Sequence, residues 1–538
     1  MSLYDDASLI MYPSGYKEDK IYSLKPTDGS GDLTFSRAST ATRVNADGLI
    51  EEVPVNKLTY SEQFDNAAWG VLNSASVTAN TTTAPNGTTT ADTLSFSANP
   101  SSTIYQSITV PAGQTTLSVY AKTASGTKQF RLRIDTPSGN SSSDFTATTE
   151  WQRFDFSLTT TGTGVTFYII NDNAGTAGSI FIWGAQLNSG STAKPYFPTT
   201  DRLNVPRIDY TGGGCGKLLL EPQRTNLVTY SESFDNAAWE YGGITKTANA
   251  AISPDGTSNA DKIEITTLVT PNLRQSILVT QSTNYTFSFY AKSSELSVLK
   301  LAVYNLNGAA FIFENTEKPI NDEWSRVTVS FATPSGCSSI RVFIFRNSDS
   351  LGSFYVWGAQ LEEGSYATSY IPTASATATR IKDSASKTGI SSLIGQTEGT
   401  MFAEFTYNGV GNTGVYEVIL VIGTNTSNLI ALNKNNTTSE LYAYAINGGV
   451  IQVNSVGIAG TNIIGKHKVA LAYKLNDYAV YLDGVQVFTD TSASVPTCSS
   501  VYVGQSEVLA QQLGGTINQA ILFKTRLSNA ELATLTTL

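Results

Sequence analysis

Eleven residues, TYSEQFDNAAW (Thr59–Trp69), are written again as TYSESFDNAAW (Thr229–Trp239), differing only at Gln63 against Ser233. A chain that repeats itself this literally contains a duplicated unit, and the same sequence must fold twice. The match runs on. Pro85-Asn86-Gly87-Thr88 answers Pro254-Asp255-Gly256-Thr257, and Tyr105-Gln106-Ser107-Ile108 answers Arg274-Gln275-Ser276-Ile277. Ser118–Lys122 answers Ser288–Lys292, Trp151-Gln152-Arg153 answers Trp324-Ser325-Arg326, and Phe181–Thr199 answers Phe354–Thr373. All six tryptophans lie in the two copies. Two homologous domains follow, 57–200 and 225–373, with linkers at 201–224 and 374–390.

Each copy reads as β. TLSVYAKT and YTFSFYAKS alternate apolar with polar, as half-buried strands do. Pro-Asn-Gly and Pro-Asp-Gly mark turns, because Pro fixes φ and Gly accepts positive φ. Only 14% of residues are charged, against an ordinary ~25%. The Thr, Ser, Gly, Asn and Tyr that replace them suit strands and turns and are poor for long helices. Several short strands without helical periodicity predict an antiparallel sandwich.

Residues 391–538 differ in wording and are β again. GTMFAEFTYN alternates, and Asn476-Asp477 and Asp483-Gly484 sit at turns. Ser528 and Glu531 predict a capping box on one short C-terminal helix. VALAYKLNDYAVYLDGVQV and GTINQAILFKTRLSNAEL resemble the concanavalin A-like lectin/laminin-G jelly rolls. That resemblance implies a fold; relatives variously bind glycans, bind calcium or hold proteins together, and no calcium-ligand pattern is carried over. Tyr442 and Tyr444 share one face of a predicted strand and are the candidate ligand contacts, with packing as the alternative. The expected architecture is all-β: three tandem antiparallel jelly-roll sandwiches after a short N-terminal anchoring segment.

That segment, 1–56, holds Leu9, Met11, Ile21, Leu24 and Phe35 but is too short for a core of its own. It is expected to pack on a partner. STATRVN (Ser39–Asn45) is echoed by SATATRIK (Ser375–Lys382), as though the first copy were inserted between GLIEEVPVN and the stretch from Asn204. PSGYKEDKIYSLKPTDGSGDLTFSRASTATRVNADGLIEEV, LLLEPQRTNLVTYSE and WGAQLEEGSYATSYIPT together resemble bacteriophage virion fibre and appendage proteins. The copies are similar to the carbohydrate-binding-module-like sandwiches of such proteins. The resemblance implies a tail fibre, capsid-attached fibre or decoration protein, assembled in the host cytoplasm and adhering to host-surface glycans. It implies attachment to other virion proteins through residues 1–56 and a homo-oligomer, a trimer first. A surface-polysaccharide depolymerase is the alternative.

The remaining chemistry is read by exclusion. Net charge is −10 and no Lys/Arg cluster occurs, which argues against nucleic acid. No apolar run is long enough for membrane insertion, and Asp5 and Asp6 stand where a signal peptide would carry Lys or Arg. Cys215, Cys337 and Cys498 form no disulfide framework and offer no zinc spacing, and His467 is the one histidine, read as a strand residue. TGGGCGKL (Thr211–Leu218) lacks the first Gly and the final Ser/Thr of a phosphate loop. Glu362-Glu363 is no facing carboxylate pair of a glycosidase, since neighbours on a strand point to opposite faces, and it is read as a solvated turn. Trp69, Trp183, Trp239 and Trp357 are expected in cores rather than under sugars. No catalytic residue, metal or cofactor is assigned, and the chain is not expected to be an enzyme.

Overall fold

The computed structural model of the protein describes residues 3–137, 139–407, 416–435, 438–455, 457–506 and 511–538. It is all-β, as the period-2 patterning predicts, with short helices at Leu3–Asp6 and Asn529–Thr536. Two compact units emerge, one of residues 51–203 with 246–263, the other of 1–50, 204–245 and 264–538.

In the first unit, the first copy is organised by two 20-residue strands, Thr103–Lys122 and Gln152–Asn171. They pair from Ala121↔Gln152 to Thr103↔Ile170 and serve both layers of the sandwich. One end pairs with Lys128–Thr136, which pairs in turn with Gly139–Ala147. The other end pairs with Gly178–Ser189. The alternating inward residues, among them Ile104, Leu117, Phe130, Leu132, Phe167, Ile169 and Ile182, make one core.

The second unit holds most of the second copy and the C-terminal sandwich. The two long strands of the first copy are broken here into Asn272–Leu278 and Asn284–Lys292, and into Ser325–Ala332 and Ser339–Arg346. Asn272–Leu278 and Ser339–Arg346 join one sheet with Glu240–Gly242 and Val298–Asn305. Asn284–Lys292 lies between Ser325–Ala332 and Gly352–Glu363 in another.

The C-terminal sandwich is larger than 391–538. Leu9–Lys17 pairs with Gly515–Phe523 (Leu9↔Leu522), and Leu33–Ser36 pairs with Ser384–Lys387 (Phe35↔Ala385). Lys217–Leu220, in the expected linker, pairs with the start of Gly515–Phe523 (Leu218↔Ile517). Leu9, Met11, Ile21 and Phe35, expected to need a partner molecule, are buried in the same core as Met401, Ile422 and Leu522. The surface that covers them is the far end of their own chain; Tyr22 and Leu24 alone of the β-strand set 20–25 stay exposed. The chain thus leaves this sandwich at Ile50 and rejoins it from Asn204.

Five buried charges pin the junction where these segments meet. Arg37 Nη1 lies 2.9 Å from Asp383 Oδ1, and Arg207 Nη2 reaches Asp383 Oδ2. Arg207 Nη1 is 2.7 Å and Arg380 Nη1 2.9 Å from Glu221 Oε2. Ser369, in the second copy, donates to Glu221 from both its backbone N–H and its hydroxyl. Burial opposes ionisation of Glu221, but Arg380 and Arg207 outweigh it and hold the carboxyl well below the usual range. Burial lowers the Arg37 guanidinium to about 10 against the pull of Asp383. The second copy is therefore fastened to the C-terminal sandwich by charge as well as by chain.

Candidate functional site

The repeated words fold into a clasp. Asn56 Nδ2 donates to the carbonyls of Ala185 and Phe197, both at 3.0 Å. Asn226 does the same to Ala359 (3.0 Å) and Ile371 (2.8 Å). The Ser-Glu of TYSE meets the Tyr of PYFPT or SYIPT: Ser61 is 2.8 Å from the Tyr196 hydroxyl, which donates to Glu62, and Ser231 is 2.6 Å from that of Tyr370, which donates to Glu232. Burial raises the Glu62 carboxyl above its ordinary range. Trp69 and Trp239 are buried and donate to the Tyr60 and Tyr230 carbonyls, each at 3.0 Å. Trp183 and Trp357 are buried too. The duplicated eleven residues close each sandwich where its ends meet, and their identity in both copies is structural.

Other candidates are absorbed into the fold. His467 Nδ1 sits 2.6 Å from Asp483 Oδ2 and its Nε2 3.1 Å from the Ile464 carbonyl. Glu362, read as part of a solvated turn, is instead fully buried. It accepts from Gln360 Nε2 (2.7 Å), Thr368 N (2.8 Å) and Thr368 Oγ1 (2.6 Å). The difference arises because the strand Gly352–Glu363 runs on through it, so only Glu363 reaches solvent. Among the described residues no cluster of His, Cys, Asp and Glu could hold a metal ion. No described helix is long and apolar enough to cross a membrane.

Tyr442 and Tyr444 do share a face, with ring centroids 5.7 Å apart and planes 25° apart. Tyr416 stacks on Tyr442 at 4.7 Å and 22°, and the Tyr442 hydroxyl is engaged by Asn454 Oδ1 at 2.7 Å. Burial raises the hydroxyls of both tyrosines. Tyr442 is 5% exposed, so its ring face is already occupied; Tyr444 is half-buried.

A row of outward side chains that the sequence reading missed crosses the first copy. Gly70, Tyr105, Tyr168, Arg133 and Ser142 are register partners on successive strands. They lie on the side opposite the core, because their neighbours Ile104, Phe167, Ile169, Leu132 and Ile134 point inward. The Tyr105 and Tyr168 centroids are 5.6 Å apart. Arg133 lies 5.4 Å over Tyr168 and holds Asp135 through two bonds, Nε–Oδ1 at 2.6 Å and Nη2–Oδ2 at 2.8 Å. That ion pair raises the Arg133 guanidinium, while burial with Asp135 nearby raises the Tyr168 hydroxyl. Ser107 and Thr166 share a 2.7 Å hydrogen bond in the next row. Two half-exposed rings with fixed donors and acceptors at their margin suit a ligand that has an apolar face and polar edges. The available signal was parity: Tyr105, Tyr168 and Arg133 each occupy the outward phase of an alternating strand.

The same place in the second copy is built differently. Gly70 is answered by Glu240 and Tyr105 by Arg274, whose Nη2 is 3.1 Å from Glu240 Oε2. Arg341 Nη2 is 3.6 Å from the same oxygen. Phe343, across from Arg274 as Tyr168 is across from Tyr105, is buried beneath it, with Arg274 5.9 Å over its ring.

No protein-family model matches the chain, and no curated protein is similar to it in sequence. Solved structures show partial likeness. The tandem CBM22-1-CBM22-2 domain of Paenibacillus barcinonensis Xyn10C matches at 12% identity over 61% of this chain and 100% of that one, with a TM-score of 0.22. The enzymatically active domain of bacteriophage CBA120 tailspike protein 4 matches at 16% identity over 26% of this chain and 21% of that one, with a TM-score of 0.23. The Ruminococcus gnavus IT-sialidase CBM40, bound to alpha2,3 sialyllactose, matches at 17% identity over 27% of this chain and 84% of that one, also at 0.23.

Proposed function

We propose that this is a glycan-binding structural protein of a bacteriophage appendage, and that its ligand lies on the Tyr105–Tyr168 face of the first copy. The observation that carries the binding reading is that face: two neighbouring half-exposed tyrosine rings, bordered by the Arg133–Asp135 pair and by Ser107 and Thr166. The C–H face of a pyranose packs on an aromatic ring, and its hydroxyls take up the polar margin. The virion assignment rests on the wording of the N-terminal segment and of the copies. Under it the protein joins other virion proteins, as a homo-oligomer, and adheres to host-surface glycans without cleaving them. The test is to incubate the full chain with host surface polysaccharide. Retention on the polysaccharide with no new reducing ends is expected; lack of retention, or release of reducing ends, would overturn the reading.

A further inference from the structure

We propose that one residue pair decides which of the duplicated sandwiches takes a saccharide: Gly70 with Tyr105 opens the first copy to a neutral oligosaccharide, and Glu240 with Arg274 closes the second. The proposal rests on the glycan-binding reading above and specifies its copy, ligand class and determinant.

The geometry of position 70 carries the argument. Gly70 and Tyr105 are directly opposed on neighbouring strands. A Cβ built at Gly70 would collide with the Tyr105 ring and lie 2.8 Å from its hydroxyl oxygen. The ring therefore leans across the edge strand into space that any other residue at 70 would fill. With Tyr168 on its other side, it extends the aromatic surface across the strands. A side chain at 70 would displace the ring and break that surface.

The second copy has made the opposite choice at both positions. Glu240 fills the place of Gly70, and Arg274, in place of Tyr105, is bound to it and lies over Phe343. The aromatic residue survives, but an ion pair lies over it, and Phe343 is only 3% exposed. Tyr168 also has a paired guanidinium over it, Arg133 at 5.4 Å, but it stays partly exposed with the Tyr105 ring beside it, whereas Phe343 is buried and has Arg274 in that place. The exchange is coupled, since Tyr105 needs a glycine beside it and Arg274 uses a carboxylate there.

Charge sets the ligand class. On the first-copy face Arg133 is held bidentately by Asp135. Arg131 lies opposite Asp144 and donates to the Asn171 and Pro100 carbonyls. The donors of both guanidiniums are already engaged, and Asp135 and Asp144 stand beside them, so an acidic sugar would meet two carboxylates. A neutral oligosaccharide uses the same groups as hydrogen-bond partners. Tyr105 is then the ring on which the sugar packs, with Tyr168, under Arg133, at its border.

The test titrates the full chain calorimetrically with neutral gluco-, xylo- and arabino-oligosaccharides, with sialyllactose as the acidic comparator. One site per chain is expected, for a neutral probe. Tyr105→Ala and Tyr168→Ala should each weaken binding about tenfold or more. Gly70→Ala should weaken it comparably with an unchanged circular dichroism spectrum. Arg274→Ala should leave affinity within about twofold of the parent. Two sites per chain, a preference for sialyllactose, a loss in Arg274→Ala, or binding that survives Tyr105→Ala and Gly70→Ala would overturn the inference while leaving glycan binding standing. Failure to bind any neutral probe while the chain is still retained on host polysaccharide would overturn the inference alone, and loss of that retention as well would overturn the glycan-binding reading with it.

Discussion

Asp383→Asn should be among the most damaging isosteric changes in this protein. The Asp383 carboxylate is fully buried, accepts from Arg37 Nη1 and Arg207 Nη2, and takes the Glu221 backbone N–H at 2.9 Å. Around it stand three arginines, Arg37, Arg207 and Arg380, against two carboxylates, Asp383 and Glu221. The substitution changes no volume, so no cavity forms. It leaves three buried guanidiniums facing one carboxylate and turns an amide N–H toward an arginine donor. Removing one partner of a buried pair costs about 3–5 kcal/mol, and the loss of charge balance places this variant at the upper end. Arg37→Met is the informative control, because it leaves two cations with two anions and should cost less. Urea unfolding of the full chain, followed by tryptophan fluorescence and far-ultraviolet circular dichroism, reads both. The transition of the second copy and C-terminal sandwich should weaken, while that of residues 51–203 should not move. A cost below about 1 kcal/mol for Asp383→Asn, or a larger cost for Arg37→Met, would refute the charge-balance argument.

Glu221 also sets an acid limit. Its carboxyl is depressed on folding, so the stability it lends is complete above the ordinary value of 4.5 and is lost as pH falls through the folded value. Unfolding midpoints measured from pH 6 to pH 2 should hold and then fall below about pH 4.5; a flat profile to pH 2 would contradict this. A fragment of residues 51–203 should fold alone, since its core draws only on residues within that span; a disordered spectrum would show that the core needs more. Ser528→Ala removes a capping box in which Ser528 Oγ accepts from Glu531 N and the Glu531 carboxylate accepts from Ser528 N at 2.7 Å. It should cost about 1 kcal/mol, and a midpoint unchanged in denaturant would show the C-terminal helix held by packing alone.

How much of this was legible in the sequence depends on the range of the contact. The alternation of TLSVYAKT and the doubled TYSE-to-tryptophan words are local, and they gave the strands, the two copies and the capping box. The place of the first 36 residues was not local. Leu9 pairs with Leu522, and no periodicity near residue 9 reveals which distant strand will cover it. Reading that stretch as short of a core was sound arithmetic with the wrong complement, because the missing surface came from its own chain. The linkers were misjudged for the same reason: the polar wording around Arg207, Glu221, Arg380 and Asp383 looks like loop until five side chains from separate segments meet in one buried junction. At the proposed ligand face, parity was a signal that could have placed Tyr105, Tyr168 and Arg133 outward, but whether the face is open depends on Gly70, on a different strand. Parity likewise put Tyr442 beside Tyr444, yet could not show that Tyr416 covers Tyr442.

The most direct test of the account is the crystal structure of the full chain soaked with a neutral oligosaccharide. The account predicts sugar density stacked on the ring of Tyr105 beside Tyr168, within hydrogen-bond reach of Arg133 and Asp135. It also predicts an undisturbed Glu240–Arg274 pair in the second copy. Sugar at Tyr444, or over Phe343 with that pair displaced, or no sugar at the first-copy face would contradict it.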